Sequence, residues 1–169
     1  MADMQNTKWL ILGGEPEAIG RVAEVYRMVF PAAHMCETTS TTAEMVKYVV
    51  NCFLAVKVSF ANEIFGLCKA LSLEYSEVLR LATMDSRLGM SHWCVPGPDG
   101  LPGFSGSCFP KDLNAILHLL GQLGMAAHTL RGAWDTNLAV RPQRDWEQLV
   151  GRAVAVPSPQ QQASLALTL

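Results

Sequence analysis

The sequence predicts a mainly α-helical chain built on one long central helix and preceded by a strand–helix unit. Three observations lead there. From Thr41 to Leu71 there is no proline and only one glycine, Gly66, so nothing interrupts a helix of roughly thirty residues, about 45 Å long. Beyond that stretch, glycine and proline divide the chain into helix-length pieces. Runs with strand character occur only ahead of it, at Trp9–Leu12 and at His34–Glu37.

The elements follow in order. Trp9-Leu10-Ile11-Leu12 is a short apolar run ending at Gly13-Gly14 and reads as a buried strand. Glu15-Pro16-Glu17 places acids and a proline at a helix start, and Pro31 ends that helix at about Phe30. A strand followed by a helix suits a Rossmann-type dinucleotide fold. Gly13-Gly14 lacks the remaining glycines of a phosphate loop, and no acid stands at the ribose-binding distance. The piece therefore reads as the last strand and helix of such a domain. Thr41-Thr42-Ala43-Glu44 has the capping-box pattern and opens the long helix. That helix is apolar on most sides from Tyr48 to Phe65, more than one small domain covers, so a homodimer is expected. Further helices are expected at Tyr75–Met84, Pro110–Leu123 and Met125–Leu138; Arg141-Pro142 then interrupts, and Asp145 is expected to cap a short turn through Val150. The end, Val156 to Leu169, is rich in Pro, Ser, Gln and Ala and reads as disordered. Three divisions result: 1–37 as the end of a truncated Rossmann-like domain, 38–140 as the central helical domain, and 141–169 as an extension.

The totals exclude several classes of function. A length of 169 residues allows one well-buried domain and is short for two. With a net charge of -2, nothing suggests a nucleic-acid surface or a polybasic membrane anchor. Lys47, Asn51, Lys57 and Glu63 break the apolar runs, so no membrane span is expected, and no signal-peptide pattern opens the chain. Five irregularly spaced cysteines imply no disulfide framework, and the chain reads as cytoplasmic and reduced. His92, Cys94, Cys108 and His118 are candidate zinc ligands, but they lack paired ligand spacing and no metal site is expected. Cys36, Cys52 and Cys68 read as small core residues, Trp134 and Trp146 as packing anchors.

Chemistry concentrates in Gly103-Phe104-Ser105-Gly106-Ser107-Cys108-Phe109-Pro110-Lys111-Asp112. Pro110 suits the opening of a helix. Cys108 then stands just before a helix N-terminus, where orphan amides and the helix dipole favour its thiolate. Asp112 falls in the first turn and Lys111 adds a positive charge. A nucleophile, an acid/base and a cation at one helix mouth point to covalent catalysis. A buried, inert thiol is the alternative for a cysteine considered alone. Lys47 and Asn51, four apart, share a face of the long helix. They are either its solvent side or functional groups.

The decapeptide resembles the catalytic-cysteine segment of the UDP-glucose/GDP-mannose dehydrogenases, usually Gly-Phe-Gly-Gly-Ser-Cys-Phe-Pro-Lys-Asp, with Ser105 standing where that family normally has glycine. Glu44 to Glu63 resembles the family's long-helix motif, and the likeness runs from about Trp9 to Leu130. The resemblance implies the central dimerisation domain of an NAD-dependent enzyme that oxidises a nucleotide sugar's primary alcohol to the carboxylate through a cysteine thioester. It makes Cys108 the nucleophile, with Lys47 and Asn51 stabilising the oxyanion and placing water, and Asp112 assisting the water. It sets Lys111 near the cofactor phosphates and implies substrate contacts for Phe104 and Gly106. Asp85-Ser86-Arg87-Leu88-Gly89 resembles a turn whose arginine reaches the neighbouring subunit's sugar-nucleotide site, although Arg87 also suits a solvated turn. Val95-Pro96-Gly97-Pro98 resembles the loop closing over substrate, and Lys57, Asn62 and Glu63 read as structural. The family's cofactor fingerprint and its third, nucleotide-binding domain find no counterpart, which implies a Rossmann-domain partner in trans. The alternative is a non-catalytic dimerisation module, or remnant, of the same family.

Overall fold

The computed structural model describes residues 7–154 and 156. Apart from Val156, the tail expected to be disordered lies outside the described residues. The chain divides into two compact units, Met1–Val50 and Asn51–Leu169.

The first unit holds β1 (Trp9–Gly13), α1 (Pro16–Val29), β2 (His34–Thr38) and the start of α2 (Ser40–Ala70). The strands pair in parallel from Trp9↔His34 to Gly13↔Thr38, and parallel pairing requires the crossover that α1 supplies. Ile19 and Ala23, one turn apart, form the buried edge of α1. Gly13 is fixed by packing, because a Cβ there would lie 2.5 Å from the Ala43 side chain. The cap of α2 is Thr39, whose Oγ1 accepts from the Thr42 amide at 3.2 Å, two residues ahead of the expected Thr41. β2 runs to Thr38, so the strand-to-helix turn consumes Thr39 alone.

The second unit is helical: the rest of α2, then α3 (Tyr75–Ala82), α4 (Phe109–Gln122) and α5 (His128–Val140), with 3₁₀ turns at Ser86–Leu88 and Asp145–Gln148. Its core joins Cys52, Ala55 and Val58 of α2 to Phe104 and to Leu113 and Leu117 of α4, with Phe109, Ile116, Ala127, Leu130 and Trp134 packed around them. Buried polar residues of α2 tie down its neighbours. Lys57 Nζ donates to Leu88 O at 2.8 Å and Gly89 O at 3.3 Å, and sits 4.7 Å from the centre of the Trp93 ring. Ser59 Oγ donates to Ala133 O at 2.7 Å. An 18-residue window of α2 reaches a mean hydropathy of 1.3, enough by length and composition for a membrane span. Within the same helix Lys57, Ser59 and Asn62 are buried against its neighbours.

α5 starts three residues later than expected. Gly124 takes φ +66° and the Met125 amide donates back to Leu120 O, so Met125 belongs to the C-terminal cap of α4. α3 ends two residues short of Met84, where the Thr83 hydroxyl turns back to Leu79 O. Trp134 and Trp146 pack on each other at 5.4 Å, the anchoring expected of them.

Candidate active site

The proline rule places the cysteine correctly: Cys108 is the N-cap residue of α4, Pro110 lies in its first turn, and the Cys108 side chain is exposed. The Asp112 amide donates to Cys108 O at 2.9 Å, the first bond of the helix. Asp112 is 0% exposed. Its Oδ2 accepts from Asn51 Nδ2 at 2.5 Å and its Oδ1 accepts from Lys111 Nζ. Asn51, Lys111 and Asp112 thus form one hydrogen-bonded cluster on the turn that Cys108 caps. Lys47 lies on the first unit's part of α2, exposed, with Nζ 5.3 Å from the centre of the Tyr48 ring.

Beside the cluster, Cys52 is buried, as expected of a core residue. Burial first, and the Asp112 charge second, push its thiol up to about 11. It is a neutral packing group near neutral pH.

The loop before Cys108 is held by three side chains from three elements. The Gly103 amide donates to Asn62 Oδ1 at 3.2 Å. The Phe104 amide donates to Asn137 Oδ1 at 2.7 Å, and Asn137 Nδ2 returns a bond to Phe104 O at 3.1 Å. Ser105 Oγ donates to Asp145 Oδ2 at 2.7 Å. Gly103, at φ +74°, must be glycine, because a Cβ would lie 2.5 Å from Asn137 Oδ1.

A cavity of about 740 Å³ opens beside this loop. Phe104, Gly106 and Phe109 line it together with His92, Asp99 and Asp145. Two of the residues expected to contact substrate, Phe104 and Gly106, therefore share one concave wall. Arg87 does not belong to that lining: it is exposed, on the Ser86–Leu88 turn, and is held by the Asp85 carboxylate, which its guanidinium hydrogen bonds keep below its usual pKa range. Among the described residues no three His, Cys, Asp or Glu side chains come together to hold a metal ion.

Sequence reasoning missed Asn137, Arg141 and Asp145 as loop supports. Asp145, expected in a short turn, directs its carboxylate to Ser105 and Arg141 rather than capping that turn, whose N-cap is Arg144. The one available signal was Ser105 itself, a hydroxyl in a glycine position.

The described residues of the first unit offer no dinucleotide cradle. The Gly14 amide is bonded to Thr38 O, the absent Cβ of Gly13 makes room for Ala43, and the adjacent 180 Å³ hollow is lined by apolar residues and glycines. The described residues of this unit therefore do not form a cradle for a bound NAD.

Residues 41–139 match the model of the UDP-glucose/GDP-mannose dehydrogenase family, central domain. The chain belongs to this family. It is 32% identical to the UDP-glucose 6-dehydrogenase TuaD of Bacillus subtilis over 80% of its own length and 28% of that protein's. It is 35% identical to the UDP-glucose 6-dehydrogenase AglM of Haloferax volcanii, over 76% and 30% respectively. A solved UDP-glucose dehydrogenase from Pyrobaculum islandicum superposes with a TM-score of 0.69 at 31% identity, covering 82% of this chain and 31% of that one. The chain thus spans less than a third of the length of these relatives. A 3-hydroxyisobutyrate dehydrogenase of Mycobacterium tuberculosis, 22% identical with a TM-score of 0.61, shares the fold.

Proposed function

We propose that this family domain is the catalytic-cysteine part of an NAD-dependent nucleotide-sugar dehydrogenase, UDP-glucose 6-dehydrogenase-like, acting in the cytoplasm as a homodimer. The observation that carries the reading is the Asn51–Asp112–Lys111 cluster on the turn capped by Cys108. A helical remnant with no chemistry has no need to bury a carboxylate there, since an unpaired charge in that position is costly.

The Cys108 thiolate adds to the carbonyl carbon of a sugar aldehyde, and Asn51 and Lys47 stabilise the oxygen that gains charge. After oxidation to the thioester, Asp112 orients water for its hydrolysis, which releases the carboxylate and restores the thiol. NAD, implied by family membership, would be held by a Rossmann-type domain supplied in trans and would supply the hydride acceptor, with Lys111 the residue of this chain that would contact its phosphates. Substrate rests against Phe104 and Gly106 in the cavity, and Arg87 reaches the neighbouring subunit's substrate.

Mixing the chain with a Rossmann-domain partner, NAD and UDP-glucose or GDP-mannose, and following NADH, tests the reading. NADH should form with the partner present and cease with Cys108→Ala. No NADH with any partner favours the non-catalytic module, and activity that survives Cys108→Ala overturns Cys108 as the nucleophile.

A further inference from the structure

The residues after α5 reach back to the cysteine loop. Arg141 is 1% exposed. Its Nε donates to Asp145 Oδ1 at 2.7 Å and its Nη2 to Asp145 Oδ2 at 2.9 Å. Nη2 also bonds Asp99 Oδ2 at 2.6 Å, and Nη1 bonds Pro102 O at 3.3 Å. Arg144, at φ 45° and ψ 42°, makes the turn into the Asp145–Gln148 segment, and Trp146 is buried against Trp134. Asp145, Gln148 and Leu149 then line the cavity from this side. The segment lies beyond residues 41–139, the span of the family match.

We propose that residues 141–149 are a strap latched to the cysteine loop by the Ser105–Asp145 hydrogen bond, and that Asp145 is a positioning residue for Cys108. The second clause rests on Cys108 being the nucleophile. A glycine at position 105 has no hydroxyl to give, so the latch exists only with a residue such as serine there. Ser105 is not among the residues with positive φ, so its side chain costs no backbone strain. Asp145 is itself held at two points by a buried guanidinium, and a fixed acceptor fixes its donor. The loop is held at Gly103, Phe104 and Ser105 in succession. At Gly106, φ +77°, a Cβ would meet nothing within 4 Å. The side-chain supports thus run up to Ser105, three residues short of Cys108, and losing the latch lengthens the unsupported run.

Backbone hydrogen exchange of the peptide covering 103–109, and iodoacetamide labelling of Cys108 followed by mass spectrometry, test this on the full chain. Ser105→Ala and Asp145→Ala should each raise exchange in the peptide about threefold or more. The double variant should not exceed Asp145→Ala, and Ser105→Thr, which keeps the hydroxyl, should stay near the unmodified protein. Unchanged exchange, additive effects, or a threonine that behaves as alanine overturns the latch. If Asp145→Ala does not fold, the contrast between Ser105→Ala and Ser105→Thr decides. Raised exchange with an unaltered Cys108 labelling rate overturns the positioning role. A Cys108 that is inert in the unmodified chain, alongside the expected exchange pattern, leaves the strap standing and removes the nucleophile reading instead.

Discussion

Asn51 and Asp112, 61 residues apart in sequence, are joined by a 2.5 Å hydrogen bond that links α2 to the first turn of α4. The bond satisfies a carboxylate with no solvent exposure. Asn51→Ala removes one donor from it and should destabilise the domain by about 1–3 kcal/mol. Asn51→Asp should cost more, because it sets two carboxylates together. That excess should shrink as pH falls, since one proton shared between the carboxyls removes the repulsion. Urea unfolding of both variants at neutral and mildly acidic pH measures the difference.

Gly103 and Gly106 both have positive φ, at +74° and +77°, but in different surroundings. Gly103→Ala drives a Cβ into Asn137 Oδ1 and close to Val140 Cγ2, at 3.1 Å, and threatens both Asn137–Phe104 bonds. A loss of about 2–4 kcal/mol is expected. Gly106→Ala meets open space, so only the backbone term remains, about 1 kcal/mol. Thermal melts of the two variants should separate clearly, and equal melts would refute the assignment of Gly103 to close packing.

Much of this was legible in the sequence for identifiable physical reasons. Proline and glycine signals act locally, so the absence of proline from 41–71 and the Pro110 helix start predicted α2 and the position of Cys108. The Asn51–Asp112 bond was visible only as two motifs implied to face one site. The pairing of Arg141 with Asp145 was invisible because Arg141-Pro142 reads only as an interruption and Asp145 only as a turn cap. The burial of Arg141 comes from Asp99 and Asp145, 42 residues before it and four after, and no periodicity signals such a pairing. The capping box misled because Thr39, Thr41 and Thr42 all suit an N-cap, and the end of β2 decides among them.

Among the cysteines, Cys52 and Cys68 are buried while Cys94 and Cys108 are exposed. A mild alkylating agent near neutral pH should therefore spare Cys52 and Cys68. Of the two exposed thiols, Cys108 should react first, since it alone stands at the N-cap position of a helix. Peptide mapping of early time points reads the order, and a protected Cys108 beside a labelled Cys94 would remove the main support for covalent chemistry.

The Asp145 carboxyl is held down to about 2, below its usual 3.8, first by the Arg141 hydrogen bonds and also by Ser105. Folding therefore favours its ionised form. The resulting stability is fully present above about pH 4 and is lost as pH falls towards 2. The side chain is 40% exposed, so solvent screening reduces the contribution to about 1 kcal/mol. Asp145→Asn should be less stable than the unmodified chain at pH 7, and the gap should close on acidification. A gap that widens in acid would show that Arg141 does not hold this carboxylate.

The second unit's part of α2 leaves Phe53, Phe60 and Leu67 at 65%, 50% and 53% exposure. They recur every seven residues, which places them along one side of the helix. Apolar side chains in a row on a single helix are a seam that a second helix can cover, and the same helix in a second copy offers an identical row. Homodimerisation through this seam is the expected outcome. Phe60 also packs on Trp93 at 6.1 Å, so its replacement would confuse folding with association, and Phe53 and Leu67 are the better probes. Sedimentation at about 20 µM, a concentration suited to micromolar or tighter association, should show a dimer. Phe53→Glu and Leu67→Glu should each shift it towards monomer, because a carboxylate in the seam must be desolvated. Melting curves for the unmodified and substituted chains establish that the fold survives. A chain that sediments as a monomer without substitution, or glutamates that leave the dimer intact, would move the interface away from this face of α2.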